Sequence, residues 1–548
     1  MAKTNEKFVV ALELGSSRAK MGIAGFDPED KQNTLTVYNM ADLPTVDSVR
    51  YGRITNIREV TDAVTSLLYS IDKKYPIEGR DITGLFISIG GRTLKSIKVS
   101  SRIVLPERRE ITEELMDRLE NEAIENLSTS DEIICVFPVR YEVDNIRNPR
   151  PLGSLGNRLY AEYVAIVCNP SNKNDLINVV YDRVKLDICG ITVRPVAIAN
   201  MVLTNNEINA GCMLVDFGAE TTTVAIYKNY ALLYLATIPM GSRLITRDLA
   251  STLALTDEDA EAVKLTKGDA MPATDNTYDD QQSREIIDAV IGARLSDIVA
   301  NIAAQPEFAG LTPLQLSAGI ILTGGGAQLK NFARLLEARA KMKVRMATLP
   351  SDVIITNPEM AAPENLDLIA LLRDGADTMR RADDLECVKS ESTKTPVSKK
   401  NENDITPKKE EETEIYAEPQ ETAFEIDEMK EVVIMEDNNN PFDEEDYKGY
   451  EESKTTYPWE RMDEEPAEYP DPEEVEAELK RKRQREKKTK IAEEIKRRGK
   501  ERDSHDTDDT TNDGDDKRIP EEDWFTRMRD KLVGIFEKSG RDEGASMD

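Results

Sequence analysis

Residues 8–26 read FVVALELGSSRAKMGIAGF. Two apolar runs, Phe8–Leu14 and Met21–Ala24, flank Gly15-Ser16-Ser17, the pattern of a buried strand, a tight turn and a return strand. A glycine and two serines leave the backbone N–H groups of the turn uncovered, a nest that suits a phosphate. Glu13 before the turn and Lys20 after it add a carboxylate and a cation. A plain structural hairpin is the alternative reading of this stretch alone.

The pattern returns at 213–227, MLVDFGAETTTVAIY. A strand again ends in an acid, Asp216, one residue precedes Gly218, and a Thr-rich turn with Thr221 and Thr222 leads into a second strand. A spacing of about 200 residues is too long for a solenoid repeat. It predicts a duplicated domain whose halves face each other, each bringing a hydroxyl-lined hairpin and an acid to one polyphosphate. A third turn lies at 320–328, IILTGGGAQ: a buried strand, then Gly324, Gly325 and Gly326, then a helix expected over Leu329–Arg339. Bare backbone there lets a flat ligand approach closely. The spacing fits neither a Walker loop nor a GxGxxG fingerprint.

Composition divides the 548 residues unevenly. Residues 1–378 carry regular apolar runs, while Arg380 to Arg518 carries few. The formal net charge of −32 repels phosphate and argues against nucleic acid as a partner. Cys135, Cys168, Cys189, Cys212 and Cys387 are scattered without CxxC spacing, which argues for a reducing compartment and against zinc. The sole histidine is His505, so the folded part has no histidine for catalysis or metal ligation. Met1–Lys7 leads straight into a strand and no apolar run reaches about 18 residues, so neither a signal peptide nor a transmembrane helix is expected.

After the first hairpin, strands are expected at Thr34–Met40 and Leu85–Ile89, with a helix at Ile57–Lys73 between them. This order resembles half of a ribonuclease-H-like fold. Residues 94–165 then interrupt it. Strands at Ile97–Val104, Ile133–Pro138 and Tyr160–Val167 and a helix starting at Thr112, with an imperfect capping box, describe a compact insert. Helices follow at Asp175–Val184, from Arg194-Pro195 onward, and at Ile245–Leu253, Asp257–Lys267 and Ile286–Ile302. Glu261 and Lys264 share a face of the helix over Asp257–Lys267, as a surface ion pair or as a clamp on a ribose or base.

With three glycine turns in this order and spacing, the chain resembles the actin, sugar-kinase and heat-shock chaperone superfamily, and within it the FtsA family of bacterial cell-division proteins. Glu13-Leu14-Gly15-Ser16 resembles the first phosphate loop, Asp216-Phe217-Gly218 the second, and Ile321–Ala327 the adenosine loop. Ile238–Ser242 and Asp259–Lys264 are also similar to FtsA, and the insert lies where that family has its own subdomain. The resemblance implies an actin-like α/β fold of duplicated ribonuclease-H-like domains around a nucleotide cleft. The first lobe would take 1–93, 166–205 and 350–378, the insert 94–165, and the second lobe 206–349. It implies ATP and Mg2+ as cofactors. Gly15, Ser16, Ser17, Lys20, Asp216, Gly218, Thr221, Thr222, Glu261, Lys264, Gly324, Gly325 and Gly326 would face the nucleotide, and Glu13 and Asp216 the metal, through water. It further implies FtsZ, further divisome proteins and the chain itself, in a filament, as partners. Two residues depart from the family pattern: Glu220 stands where a glycine approaches the phosphates, and Thr223 replaces an acid. Bulk and negative charge beside a γ-phosphate predict ATP binding with weak or absent hydrolysis. A small-molecule kinase and a pilus-assembly scaffold of the same superfamily are the rivals.

Residues 380–518 are too polar to offset chain entropy and are expected to form a disordered acidic linker. Within it Phe424–Met435 reads as a docking motif or as plain linker, and Val475–Arg502 as a solvated helix or a lipid-headgroup patch. The end, 519–540, is sharper. Pro520 opens a helix on which Trp524, Phe525, Met528, Leu532, Ile535 and Phe536 cover an arc of roughly 120°, flanked by Arg527, Arg529 and Lys531. An apolar face with basic edges on a long tether is the pattern of an interfacial helix on anionic lipid. Packing back onto the core is the alternative. The resemblance places such a helix on the cytoplasmic face of the membrane at the division site.

Overall fold

The computed structural model describes residues 6–75, 80–272, 281–382 and 385–390. The acidic linker, Phe424–Met435, Val475–Arg502 and the terminal amphipathic stretch lie outside the described residues.

In chain order the main elements are β1 (Lys7–Leu14), β2 (Arg18–Phe26), β3 (Leu35–Pro44), α1 (Ile57–Lys74) and β4 (Gly84–Ile89). The insert supplies β5 (Lys95–Glu110), α2 (Glu113–Glu125), β6 (Glu132–Val143) and β7 (Leu155–Cys168). Then come α3 (Pro170–Ile177), β8 (Asp187–Val193), α4 (Arg194–Val202), β9 (Cys212–Phe217), β10 (Thr222–Lys228) and β11 (Ala231–Ile238). The chain goes on through α5 (Arg243–Leu253), α6 (Asp257–Lys267), α7 (Gln281–Phe308), β12 (Gly319–Thr323) and α8 (Phe332–Ala340). Last are β13 (Val344–Met346), β14 (Val353–Ile355) and α9 (Leu366–Met379).

Two sheets carry the fold. The first has the order β8-β4-β1-β2-β3-β14; β1 and β2 are antiparallel, and β4 runs parallel to β1. In the second, β13-β12-β9-β10-β11 continues through β5 into β7, β6 and the short strand Ile146–Arg147. Each lobe thus holds a hairpin with a parallel strand beside its first strand: β4 beside β1, and β12 beside β9. The first strands of both hairpins are buried along nearly their whole length. Buried on both faces, they need continuous apolar runs rather than alternation, which is why VVAL and CMLV stand there.

The helices cover these sheets with apolar stripes at helical spacing. α1 buries Val60, Val64, Leu67 and Ile71, and its N-cap Asn56 accepts the Glu59 N–H at 3.2 Å. α9 buries nearly all its length against β1 and α4. The insert has a small core of its own, in which Leu115, Leu119 and Ala123 of α2 pack on Ile103, Leu159 and Tyr163. It meets the second lobe's sheet at one register pair, Ala236 with Lys95, where Ser96 Oγ accepts the Leu235 N–H at 2.8 Å.

Several elements differ from the sequence-based expectation. The helix expected from Asp175 starts at Pro170 and widens to a π-helix over Asn178–Val184, closed by Lys185 at φ 66°. The helix expected at Leu329 starts at Phe332, because the third glycine turn continues as a 3-10 turn over Gly325–Gln328. Thr112 makes no side-chain cap, whereas Thr204 and Glu207 form a complete capping box that sequence reading passed over. β5 is twice the expected length: it pairs with β7 as far as Glu110, beyond the last buried apolar residue of the strand, Leu105.

Candidate nucleotide cleft

Strand register places the first two turns. Glu13 and Lys20 are paired across β1 and β2, and Asp216 and Thr223 across β9 and β10. Because β12 runs parallel to β9 with Thr323 opposite Asp216, Gly324 follows directly beside that acid. Gly324 has φ 93°, and a Cβ there would lie 2.7 Å from Asp216 Oδ1 and 2.4 Å from the Phe217 carbonyl oxygen. Any side chain at Gly324 would therefore displace the second turn. Gly325 has open space where its Cβ would be.

The turns themselves are backbone-closed. Gly15 N–H donates to the Arg18 carbonyl at 3.0 Å, and Gly218 N–H to the Thr221 carbonyl at 2.9 Å. The segment between β3 and α1 braces the first turn. Thr45 Oγ1 donates to the Gly15 carbonyl at 2.6 Å, Thr45 N–H to the Ser17 carbonyl at 3.0 Å, and Gly52 N–H to Ser16 Oγ at 2.9 Å.

Arg194, at the start of α4, joins the two hairpins. Its Nη1 donates to Glu13 Oε1 at 2.8 Å, and its Nη2 lies 3.3 Å from Asp216 Oδ2. Glu13 is 1% and Asp216 6% exposed, so the guanidinium is what makes two buried acids tolerable. Burial raises the pKa of both carboxyls, with Arg194 and Lys20 pulling the other way. For Arg194 burial opposes the charge, but Asp216, Glu13 and Asp367 outweigh it and raise its pKa. Sequence reading took Arg194 only as a helix start; nothing local marks it as the partner of residues far along the chain.

Glu220 is held in a cage of donors. It accepts the Tyr51 N–H at 2.6 Å, Arg50 Nε at 3.1 Å and Arg247 Nη2 at 3.0 Å, with Arg243 Nη1 at 3.5 Å. The carboxylate that departs from the family pattern is thus neutralised by three arginines. Thr223, the other departure, is buried with its hydroxyl 3.2 Å from that of Thr237.

Other expected residues are committed elsewhere. Lys20 Nζ lies 2.8 Å from one Asp367 oxygen and also donates to the Glu364 carbonyl, which holds it on the side of α9. The Thr222 hydroxyl donates to the Met240 carbonyl at 2.7 Å. Glu261 and Lys264 are paired at 2.7 Å, and both meet the Thr246 hydroxyl, at 2.5 Å and 3.0 Å. Lys264 is buried and Glu261 half-exposed, so the pair is no ordinary surface bridge. Gly268, which closes α6, sits against Leu329 just after the third glycine turn.

Bare backbone at the three glycine turns, with open space at Gly325, suits the close approach of a nucleotide. The acids do not offer a metal site in this arrangement. Their facing oxygens are bonded to Arg194, and no group of three or more His, Cys, Asp or Glu among the described residues is placed to hold an ion.

Residues 213–364 match the family described as Cell division protein FtsA, and residues 91–167 match the SHS2 domain inserted in FtsA. The chain carries both FtsA-type domains. It is 26% identical over 372 residues to the cell division protein FtsA of Porphyromonas gingivalis, covering 65% of this chain and 76% of that one. It is also 26% identical over 379 residues to FtsA of Bacillus subtilis, covering 65% and 81%. Among solved structures, the PilM–PilN type IV pilus biogenesis complex superposes with a TM-score of 0.50 at 15% identity, covering 67% of this chain and 98% of that one. At that identity the likeness shows the fold alone, which is actin-like with the FtsA-type insert. No helix among the described residues is long and apolar enough to cross a membrane.

Proposed function

We propose that this chain binds ATP between its lobes and ties FtsZ filaments to the cytoplasmic face of the membrane at the division site. The observation that carries the nucleotide half is the meeting of three glycine turns at Asp216: Gly218 after it, Gly324 against it, and the Gly15 turn joined to it through Glu13 and Arg194. Glu13, Gly15, Ser16, Asp216, Gly218, Thr221 and Gly324–Gly326 form the nucleotide-facing set. Weak or absent hydrolysis is expected because Asp216 is tied to the Arg194 cation in place of a water.

The membrane half rests on Pro520–Lys538, read from sequence. A single interfacial helix binds lipid weakly, whereas a filament presenting many such helices binds firmly. FtsZ, self-assembly into a filament and further divisome partners are part of the proposal on the strength of the likeness to FtsA. Mg2+ enters as a companion of ATP rather than as a resident ion.

Liposome co-sedimentation tests the reading, using anionic vesicles, with and without ATP. The full chain should pellet, and more with ATP; a chain ending at Arg518 and the variant Trp524→Glu should stay in the supernatant. Equal pelleting of all three would remove the terminal helix from the mechanism.

A further inference from the structure

We propose that Arg194 is the resident counter-ion of the cleft, taking the charge-balancing place between Glu13 and Asp216, so that this chain binds a nucleoside triphosphate without requiring a divalent cation. The proposal rests on the nucleotide reading above and narrows it to one chemical form of the ligand.

Glu13 sits near the end of β1 and Asp216 near the end of β9, one acid per lobe. A cleft with only these two acids would repel a polyphosphate unless a metal ion stood between. Arg194 changes that balance. Its two terminal nitrogens reach one acid each, at 2.8 Å and 3.3 Å, from a side chain that is only 14% exposed. The guanidinium is backed by Gly90, where a Cβ would stand 3.4 Å from its central carbon. Lys20 and Asp367 form the adjoining pair, so the cluster holds three carboxylates against two cations.

A divalent ion needs several oxygen ligands in a near-octahedral shell. Here one oxygen of each acid, Glu13 Oε1 and Asp216 Oδ2, is spent on Arg194, whose positive charge repels a second cation. A phosphate meets the reverse situation. A guanidinium has five N–H donors in a planar fork suited to phosphate oxygens, and it stays charged at every pH at which the protein is folded. Two of those donors serve the acids, and Nε is buried with no hydrogen-bond partner. The second N–H of each terminal nitrogen is left for phosphate oxygens, so that phosphate binding need not release either carboxylate. The same residue thus screens the acids and contributes to phosphate binding, and no metal ion is needed for either.

The test is anisotropy of a fluorescent ATP analogue on the full chain, in Mg2+ and in EDTA. For the wild type the two dissociation constants should agree within about threefold. Arg194→Gln should lose about tenfold or more in EDTA and recover most of it in Mg2+, which can then reach the freed acids. Arg194→Lys keeps a cation between the acids and should retain metal-free binding; it carries the comparison if the Gln variant does not fold. Wild-type binding that needs Mg2+ overturns the proposal and leaves the nucleotide reading standing. An Arg194→Gln protein that binds as the wild type does in EDTA also overturns it. Absence of binding in both buffers overturns the proposal and the nucleotide reading together.

Discussion

Glu220 of the second lobe accepts the backbone N–H of Tyr51 of the first lobe at 2.6 Å, while Arg50, Arg243 and Arg247 surround its carboxylate. A residue whose charge should oppose a γ-phosphate thus becomes a tie between lobes. It draws Arg50 from one side of the cleft, and Arg243 and Arg247 from the other, to a point beside the second phosphate turn.

Replacing Glu220 by Gln keeps an acceptor for Tyr51 N–H but removes the counter-charge of three arginines. We expect a loss of about 1–3 kcal/mol in stability, read as a lower urea midpoint. We also expect ATP to bind severalfold more tightly, because three uncompensated arginines raise the positive potential beside the cleft. A variant with an unchanged midpoint and unchanged affinity would show that the tie carries no energy.

What was legible in the chain, and what was not, divides by sequence distance. The hairpins at Gly15 and Gly218 are local objects: strand, turn and return strand lie within 20 residues, and their apolar runs announce them. The unusual place of Glu220 was legible too, as a departure from the pattern of the turn. Its partners were not. Tyr51 stands 169 residues before it and Arg50 stands 170, and neither carries a local sign of that role. Arg194 reaches Glu13 across 181 residues, and Lys20 reaches Asp367 across 347. Such pairs arise only when the sheets fix which strand ends meet. Helix starts were misjudged for a related reason. After Gly324 the chain makes a 3-10 turn over Gly325–Gln328, and α8 begins only at Phe332.

Lys20 is best understood as part of the first lobe's frame. Burial opposes its charge, but Asp367 and Glu13 outweigh that and raise its pKa. In Lys20→Met the Asp367 carboxylate would be left beside Glu13 with its cation gone, and we expect a loss of about 3 kcal/mol. Removing both partners in Lys20→Met/Asp367→Leu should restore much of it, since an apolar pair leaves no stranded charge. ATP affinity should change far less than stability in the single variant. Loss of ATP binding at unchanged stability would instead make Lys20 a phosphate ligand.

Lys264 gives the fold a pH dependence of defined sign. Burial lowers its pKa from the ordinary 10.5, and Glu261 offsets this only in part. Below the lowered value the lysine is protonated in both folded and unfolded chains. Between that value and 10.5 the unfolded chain still holds the proton and the folded chain has released it. Where the unfolded state binds more protons, stability rises with pH. Wild type should therefore gain stability relative to Lys264→Met as the pH climbs toward 10.5, a comparison that cancels the titration of other lysines. Urea denaturation of both proteins across that range measures the difference. A wild type that loses ground to the variant on the way up would mean that the Glu261 carboxylate, not burial, governs the ammonium, and that the pair is a stabilising bridge.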